Sequence, residues 1–150
     1  MSTDIKVKVF QMAHARDLPL PQYETSGAAG FDFPAAIEDE LVILPFGRAL
    51  IPTGLQIALP EGYELQIRPR SGLALKNGIT LPNSPGTIDE DYRGEIKVIL
   101  MNCSDDPFII TRGMRIAQGV LAPVVRLSWE KVEGLEETVR SEKGFGSTGH

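Results

Sequence analysis

The feature that most constrains this chain is the regular alternation of short apolar runs with glycine and proline. Its 150 residues include 15 Gly and 11 Pro, which favour turns over the interiors of helices. The runs between them are one strand long and about ten residues apart. They cover residues 5–10, 41–44, 48–51, 55–59, 63–68, 95–102, 115–121 and 124–132. Many short strands with regular turn signals predict a sandwich, a jelly roll or a barrel.

Alternation within the runs indicates which side chains share a face, because successive residues of a strand point to opposite sides. In run 115–121 this rule places Arg115 and Ala117 on one face and Ile116 and Gln118 on the other. A single segment, 71–77, is typical of a helix. We expect Ser71 to be its N-cap and Gly78 to end it.

Charge and composition exclude several classes of protein. The chain carries 15 basic and 20 acidic residues, a net charge of −5, so we expect no nucleic-acid partner. Its apolar runs are far shorter than the roughly 18 residues of a membrane span, and we expect no membrane partner. The single cysteine, Cys103, fits a reducing compartment and predicts a cytoplasmic protein.

Residues 1–132 are expected to form one domain, and residues 133–150 a flexible C-terminal tail. The composition turns polar after residue 132, and the tail offers a single aromatic side chain, Phe145. Such a segment cannot bury enough surface to remain ordered alone, so a ligand or a neighbour would have to hold it.

Three loops carry residues suited to chemistry, and each also has a plain structural interpretation. Segment 27–32 ends in a carboxylate but is equally typical of a loop entering a strand. Segment 69–72 leads into the helix, where backbone N–H groups and Arg70 favour an anion, although a simple cap would look the same. Segment 82–94 crowds Asp89, Glu90 and Asp91, which predicts a cation or a raised pKa for one of them.

Five motifs in fixed order are more specific than any one of these loops. They are AGFDF at 29–33, PRSGLA at 69–74, NSPGTIDEDYRGEI at 83–96, RIAQ at 115–118 and GFGSTG at 144–149. In this order the sequence resembles the homotrimeric dUTPase family, the deoxyuridine triphosphate nucleotidohydrolases.

The resemblance implies an all-β fold: a jelly-roll-like, distorted β-barrel with one short helix, assembled as a homotrimer. Each active site would combine loops of two subunits, and the tail of a third would close over it. The reaction would be Mg²⁺-dependent hydrolysis of dUTP to dUMP and pyrophosphate. It would supply dUMP for thymidylate synthesis and keep uracil out of DNA.

The resemblance also implies roles for individual residues. Asp89 would be the general base that activates water, and Asp32 would hold Mg²⁺, through its waters. Tyr92 would pack under the deoxyribose and exclude a 2′-hydroxyl. The other expected substrate-binding residues are Arg70, Ser71, Gly72 and Gln118 for the phosphates, Asn83, Gly86, Thr87 and Ile88 for uracil, and Arg140, Phe145, Gly146, Ser147 and Thr148 in the tail.

The sequence departs from the family pattern in three places. Ser141 and Lys143 replace glycines of the fifth motif, Met114 stands where an acid is usual before the fourth, and Phe31 is a mild variation within the first. We expect these changes to affect closure of the tail and to leave the reaction itself intact.

Two other functions fit the same fold. A dCTP deaminase would need a glutamate on the strand after the third motif, and residues 96–101 contain no carboxylate. A non-catalytic binding module would have lost Asp89, Tyr92 or the tail, and all of them are present.

Overall fold

A computed structural model describes residues 4–147 and 149 of the chain. In chain order the elements are β1 Lys8–Gln11, a 3₁₀ turn Ala13–Ala15, β2 Phe31–Pro34, β3 Leu41–Ile43, β4 Arg48–Pro52, β5 Leu55–Ala58, β6 Tyr63–Arg68, α1 Ser71–Asn77, β7 Ile79–Thr80, β8 Gly86–Ile88, β9 Lys97–Asn102, β10 Phe108–Ile110 and β11 Arg115–Pro123. None of the described helices is long and apolar enough to cross a membrane.

The strands pair antiparallel in four sheets around one apolar core. The largest sheet has the order β2-β11-β6-β8, a second has β4-β9-β7, and β1-β5 and β3-β10 form two ribbons. The predicted all-β fold with one short helix is confirmed. Within the described residues the ladders do not join into one closed barrel.

Alternation decides which side chains enter the core. Leu55 and Ile57 of β5, and Val98 and Leu100 of β9, are all at least nine-tenths buried, as the spacing predicts. Gly119 of β11 is required by close packing, because a Cβ there would lie 2.8–2.9 Å from the rings of Phe31 and Phe33. These two rings meet edge to face at 5.3 Å.

Strand β11 breaks the predicted alternation. Its pairing with β2 shifts register between Arg115 and Ala117, and Ile116 and Ala117 are both fully buried. The shift is a β-bulge, which turns two successive side chains towards the same side. The prediction that Arg115 and Ala117 share a face is therefore wrong.

Residues 124–132, expected to be the last strand, form no ladder in the structure. The strand β11 ends at Pro123, and beyond it Val125 is 95% and Trp129 91% exposed. The segment carries alternating apolar side chains. The Val124 N–H donates to the Gly62 carbonyl oxygen at 2.9 Å, but within the described residues no neighbouring strand pairs with the segment, and a strand needs such a neighbour.

The helix α1 has the predicted bounds but a different cap. Arg70, with extended backbone, is the N-cap, and its side chain makes no capping hydrogen bond. Ser71 is the first helical residue, so the prediction that it caps the helix is wrong, and capping does not occupy its hydroxyl. Gly78 ends the helix in the left-handed conformation, φ 67°, that glycine adopts most easily.

The 3₁₀ turn near the N-terminus is attached to the barrel by Arg112. Its guanidinium donates to the carbonyl oxygens of Ile37 at 3.0 Å and His14 at 2.8 Å, and it forms an ion pair with Asp17. The hydrogen bonds from Arg112 hold the pKa of the Asp17 carboxyl below its ordinary value of 3.8.

The Asp17→Asn variant should be less stable than the wild type at neutral pH, by about 2 °C in Tm, because the pair is exposed. The Asp17 carboxylate binds a proton more tightly in the unfolded chain than in the folded one. The stabilisation by the Asp17–Arg112 pair is therefore present above pH 3.8 and is lost as the pH falls through the lower pKa of the folded state. Thermal melts from pH 7 to pH 3 should show the two curves converging. A difference in Tm that does not begin to shrink as the pH falls below 3.8 would contradict this interpretation.

Candidate active site

Strand β11 brings three of the five motifs together on one face of the large sheet. Its Gln118 lies opposite Asp32 of β2 on one side and Arg68 of β6 on the other. Cross-strand neighbours point to the same face, so these three side chains are adjacent. The Gln118 amide also donates to the Pro69 carbonyl oxygen at 2.9 Å, which fixes the loop leading into α1.

Arg70 projects from that loop onto the same face. Its guanidinium lies 3.2 Å from the Asp32 carboxylate and donates to the Arg115 carbonyl oxygen at 2.9 Å. The Arg115 guanidinium approaches the same carboxylate to 3.8 Å. One half-buried carboxylate is therefore flanked by two guanidinium groups.

We call the open groove beside these residues the arginine cleft, with a volume of about 560 Å³. It is lined by Gln66, Arg68, Pro69, Arg70, Ser71, Ala74, Ser84, Pro85 and Gln118. Guanidinium groups, a hydroxyl and an amide suit an anion with several oxygens, such as a phosphate chain. A Cβ at nearby Gly72 would meet no atom within 4 Å, so a ligand could approach the backbone there.

The third motif lines a second groove, which we call the hairpin cleft, of about 330 Å³. Its lining consists of Leu50, Ile67, Leu81, Asn83, Gly86, Thr87, Ile88, Asp89, Tyr92, Glu95, Lys97 and Ile99. The pairing of β8 with β6 sets Gly86 opposite Ile67. All the residues expected to read uracil thus lie together with Asp89 and Tyr92.

Tyr92 is held both at its backbone and at the hydroxyl of its ring. Its N–H donates to the Asp89 carbonyl oxygen at 3.2 Å, and its hydroxyl donates to the Glu95 carbonyl oxygen at 2.9 Å. A Cβ at Gly94 would collide with the hydroxyl and ring of Tyr92, so the ring packs directly against the backbone at Gly94. The side chain remains partly exposed, which leaves area for a ligand.

The crowded acids of the hairpin, Asp89, Glu90 and Asp91, all line a further open groove of about 560 Å³, together with Glu61 and Glu64. The Glu90 carboxylate turns to accept the Gly62 N–H at 2.9 Å, and Asp91 does not line the hairpin cleft. Within residues 4–147 and 149, no three His, Cys, Asp or Glu side chains are grouped to hold a metal. The structure therefore gives no support to a cation among these acids.

The two clefts are separate in a single chain. They share no lining residue, and β6 contributes Ile67 to the hairpin cleft but Gln66 and Arg68 to the arginine cleft. Because neighbouring residues of a strand point to opposite sides, the clefts lie on opposite sides of β6. One chain alone does not bring Asp89 to the residues expected to hold phosphates.

The described tail residues lie outside both clefts. The Phe145 side chain is fully exposed, and the bonds shown for Arg140 and Ser147 run to Lys143 and Gly144 in the same segment. Ser141 has a φ of 47°, in the region where glycine is more comfortable. Of the predicted tail residues, Thr148 lies outside the described residues.

Sequence reasoning missed one pair beside the hairpin cleft. The His14 Nε2 lies 2.7 Å from the Glu95 carboxylate, although His14 alone gave no sign of a role. The two residues are 81 positions apart, so nothing in the local pattern could have joined them.

Comparison with known proteins agrees with this geometry. Residues 16–149 match the family model of dUTPase. A Rhizobium rhizogenes protein named deoxyuridine 5'-triphosphate nucleotidohydrolase is 57% identical over 145 residues, which cover 95% of this chain and 93% of that protein. A protein of the same name from Brucella suis is 57% identical over 143 residues, which cover 94% of this chain and 91% of that protein.

Solved structures show the same fold. The Staphylococcus bacteriophage 80alpha dUTPase with dUpNHpp matches with a TM-score of 0.84 and 26% identity, over 97% of this chain and 99% of that one. A mutant dUTPase from phage phi11 of S. aureus, described with a structural Mg(II) ion, matches with a TM-score of 0.77 and 22% identity. The match covers 88% of this chain and 99% of the phage protein. Since the family model covers most of the chain and more than half of the aligned residues are identical in the relatives, this chain belongs to the dUTPase family.

Proposed function

We propose that the protein hydrolyses dUTP to dUMP and pyrophosphate with the help of Mg²⁺. The observation that carries this proposal is the hairpin cleft, where Asp89 lies beside Asn83 and Tyr92. The names of the relatives and the dUpNHpp present in the phage enzyme support the same substrate. In the cell the reaction would supply dUMP for thymidylate synthesis, in the cytoplasm, and keep uracil out of DNA.

Asp89 is the proposed catalytic base. A carboxylate within hydrogen-bond reach of a water removes its proton as the water attacks in line at the α-phosphorus. Arg70, Ser71 and Gln118 from the arginine cleft would bind the phosphate chain and stabilise the charge that develops on it. Positioning and charge stabilisation supply most of the rate in phosphoryl transfer.

Asp32 is the proposed contact for Mg²⁺. With no three-ligand group in the described part of the chain, the protein suits an ion that takes most of its ligands from the triphosphate and from water. The half-buried Asp32 carboxylate, shared with Arg70, fits a single contact through a water. When bound, Mg²⁺ would neutralise part of the charge of the triphosphate.

The hairpin would select both base and sugar. The Asn83 amide and the backbone of β8 present fixed donors and acceptors to the edge of uracil, which cytosine would leave unpaired. Tyr92 would pack flat beneath the deoxyribose, and its fixed ring would leave no room for a 2′-hydroxyl. Phe145 of the tail would then stack on the uracil, with Ser147 and Arg140 near the outer phosphates.

The protein would act as a homotrimer with shared sites. The hairpin cleft of one copy and the arginine cleft of another would form each site, since they lie on opposite sides of β6 in one chain. The exposed apolar side chains of residues 124–132, including Val125 and Trp129, would be covered in such an assembly. Closed cyclic symmetry gives every copy the same contacts.

The Asp89→Asn variant should lose about a thousandfold in kcat, because the amide cannot accept the proton from water. Its Kd for dUpNHpp should stay close to the wild-type value. The matched control is Asp91→Asn, since Asp91 is also acidic but does not line the hairpin cleft. Pyrophosphate release measures both variants, and turnover of Asp89→Asn within about tenfold of the wild type would contradict the assignment.

Mixed oligomers test whether the sites are shared. Asp89→Asn and Arg70→Ala should each be inactive alone, and in trimers that contain both variants about one third of the sites should be restored, because each site draws one cleft from each of two copies and such a trimer has one junction with both clefts intact. The two variants can be coexpressed with different affinity tags and purified through both. Full inactivity of the mixed oligomer would show that both clefts act within one chain.

Removal of residues 144–150 should lower kcat on the order of a hundredfold, because water would enter the site and the phosphates would lose contacts. The Tm should change by no more than about 2 °C, since the exposed tail makes only local bonds. The full-length Phe145→Tyr variant, which keeps a stacking ring, serves as the control. A large fall in Tm after truncation would mean that the tail is part of the folded core.

A further inference from the structure

His14 is carried by a turn that is packed tightly against the strand connection at Gly54. Gly54 has a φ of 71°, and a Cβ at this position would collide with Ala15 of the turn. The Met12 N–H also donates to the Gly54 carbonyl oxygen at 2.8 Å. The turn is thereby fixed on the barrel, and the imidazole of His14 has a defined place.

The carboxylate of Glu95 is fixed by two donors on one oxygen. Its Oε1 accepts the Gly54 N–H at 2.9 Å and the His14 Nε2 at 2.7 Å. Only 12% of the Glu95 side chain is exposed, so water can replace a lost donor only in part. Without His14 the carboxylate would keep a single described partner and gain freedom to move.

The backbone of Glu95 holds the ring of Tyr92. The Tyr92 hydroxyl donates to the Glu95 carbonyl oxygen, and Glu95 also lines the hairpin cleft. Glu95 therefore accepts a hydrogen bond from His14 at its side chain and another from the Tyr92 hydroxyl at its backbone carbonyl. A shift of Glu95 would move the hydroxyl end of the ring.

The fold of the turn has a support that does not involve the imidazole. Arg112 binds the His14 carbonyl oxygen at 2.8 Å and pairs with Asp17. The side chain of His14 is 31% exposed, so it contributes little to the core. Within the described residues the imidazole is bonded to Glu95, which separates a positioning role from a structural one.

From these contacts we infer that His14 is a positioning residue for Tyr92 and, through Glu95, a determinant of the choice of deoxyribose over ribose. The inference rests on the proposed hydrolysis of dUTP. A ring that excludes a 2′-hydroxyl by contact must be held within a fraction of an ångström. A small displacement of the ring would open enough room for the 2′-hydroxyl of a ribonucleotide. Fixing Glu95 by a hydrogen bond from another part of the chain provides that rigidity.

The test compares kcat/KM for dUTP and UTP in the full-length enzyme and three variants. His14→Leu removes the donor, His14→Gln retains an amide that can reach Glu95, and Asp17→Asn loosens the same turn without touching Glu95. The ratio of kcat/KM for dUTP to that for UTP should fall about tenfold in His14→Leu, chiefly through KM. It should stay at the wild-type value in His14→Gln and in Asp17→Asn.

Each outcome decides the matter. An unchanged ratio in His14→Leu, with a wild type that prefers dUTP, would overturn the inference alone. An equal fall in Asp17→Asn would also overturn it, since a loosened turn would then be sufficient. A wild type that does not prefer dUTP would overturn the proposed function and this inference with it. If His14→Leu does not fold, His14→Ser, which leaves the site to water, takes its place in the same comparison.

Discussion

The antiparallel pairing of β11 with both β2 and β6 is the constraint on which the rest of the site depends. It sets Gln118 between Asp32 and Arg68, and through the hydrogen bond from Gln118 to Pro69 it fixes the loop that carries Arg70. A slip of one residue would turn each of these side chains to the opposite face. The bulge at the start of β11 lets two consecutive residues enter the core while the polar face keeps its register.

The same sheet separates charges that would otherwise cancel. Arg70 and Arg115 already flank Asp32, and in one common groove they would also pair with the hairpin acids. With β6 between the two clefts, Asp89 and these cationic groups line different grooves of one chain, and under the proposed function substrate and a second copy would bring them together.

Most strands were predictable because a period of two with glycine and proline between the runs is a strong local signal, but the short strands β2, β7, β8 and β10 lie outside the predicted runs. The core residues of β5 and β9, and the bounds of α1, followed from it. The bulge at Ile116 and Ala117 was not predictable, because it depends on pairing with β2. The failure of residues 124–132 to form a strand was also beyond local reasoning, because an alternating apolar pattern indicates that a partner strand is needed but not whether the chain supplies one.

The candidate site residues were named from the sequence for a different reason, and their roles stay predictions. Motifs that bind a ligand are contiguous and tied to particular chemistry, so Asn83, Asp89 and Tyr92 could be named from the residues and the resemblance they carry. The residues that hold them in place have no such signature. His14 reaches Glu95 across 81 positions, and Gly94 is needed only because the Tyr92 ring lies against it. Support of this kind becomes visible only once the chain is folded.

The exposed tail is consistent with a site that must open and close. A segment bound firmly to its own barrel would have to break those bonds in every cycle, which would slow closure or weaken it. The bonds of Arg140 and Ser147 are local, and the Phe145 ring contacts solvent on all sides. Ordering such a segment costs conformational entropy, which contacts with base and phosphates would offset only when the whole nucleotide is present. Closure would then depend on the substrate itself, and water would be excluded only when there is a phosphate to attack.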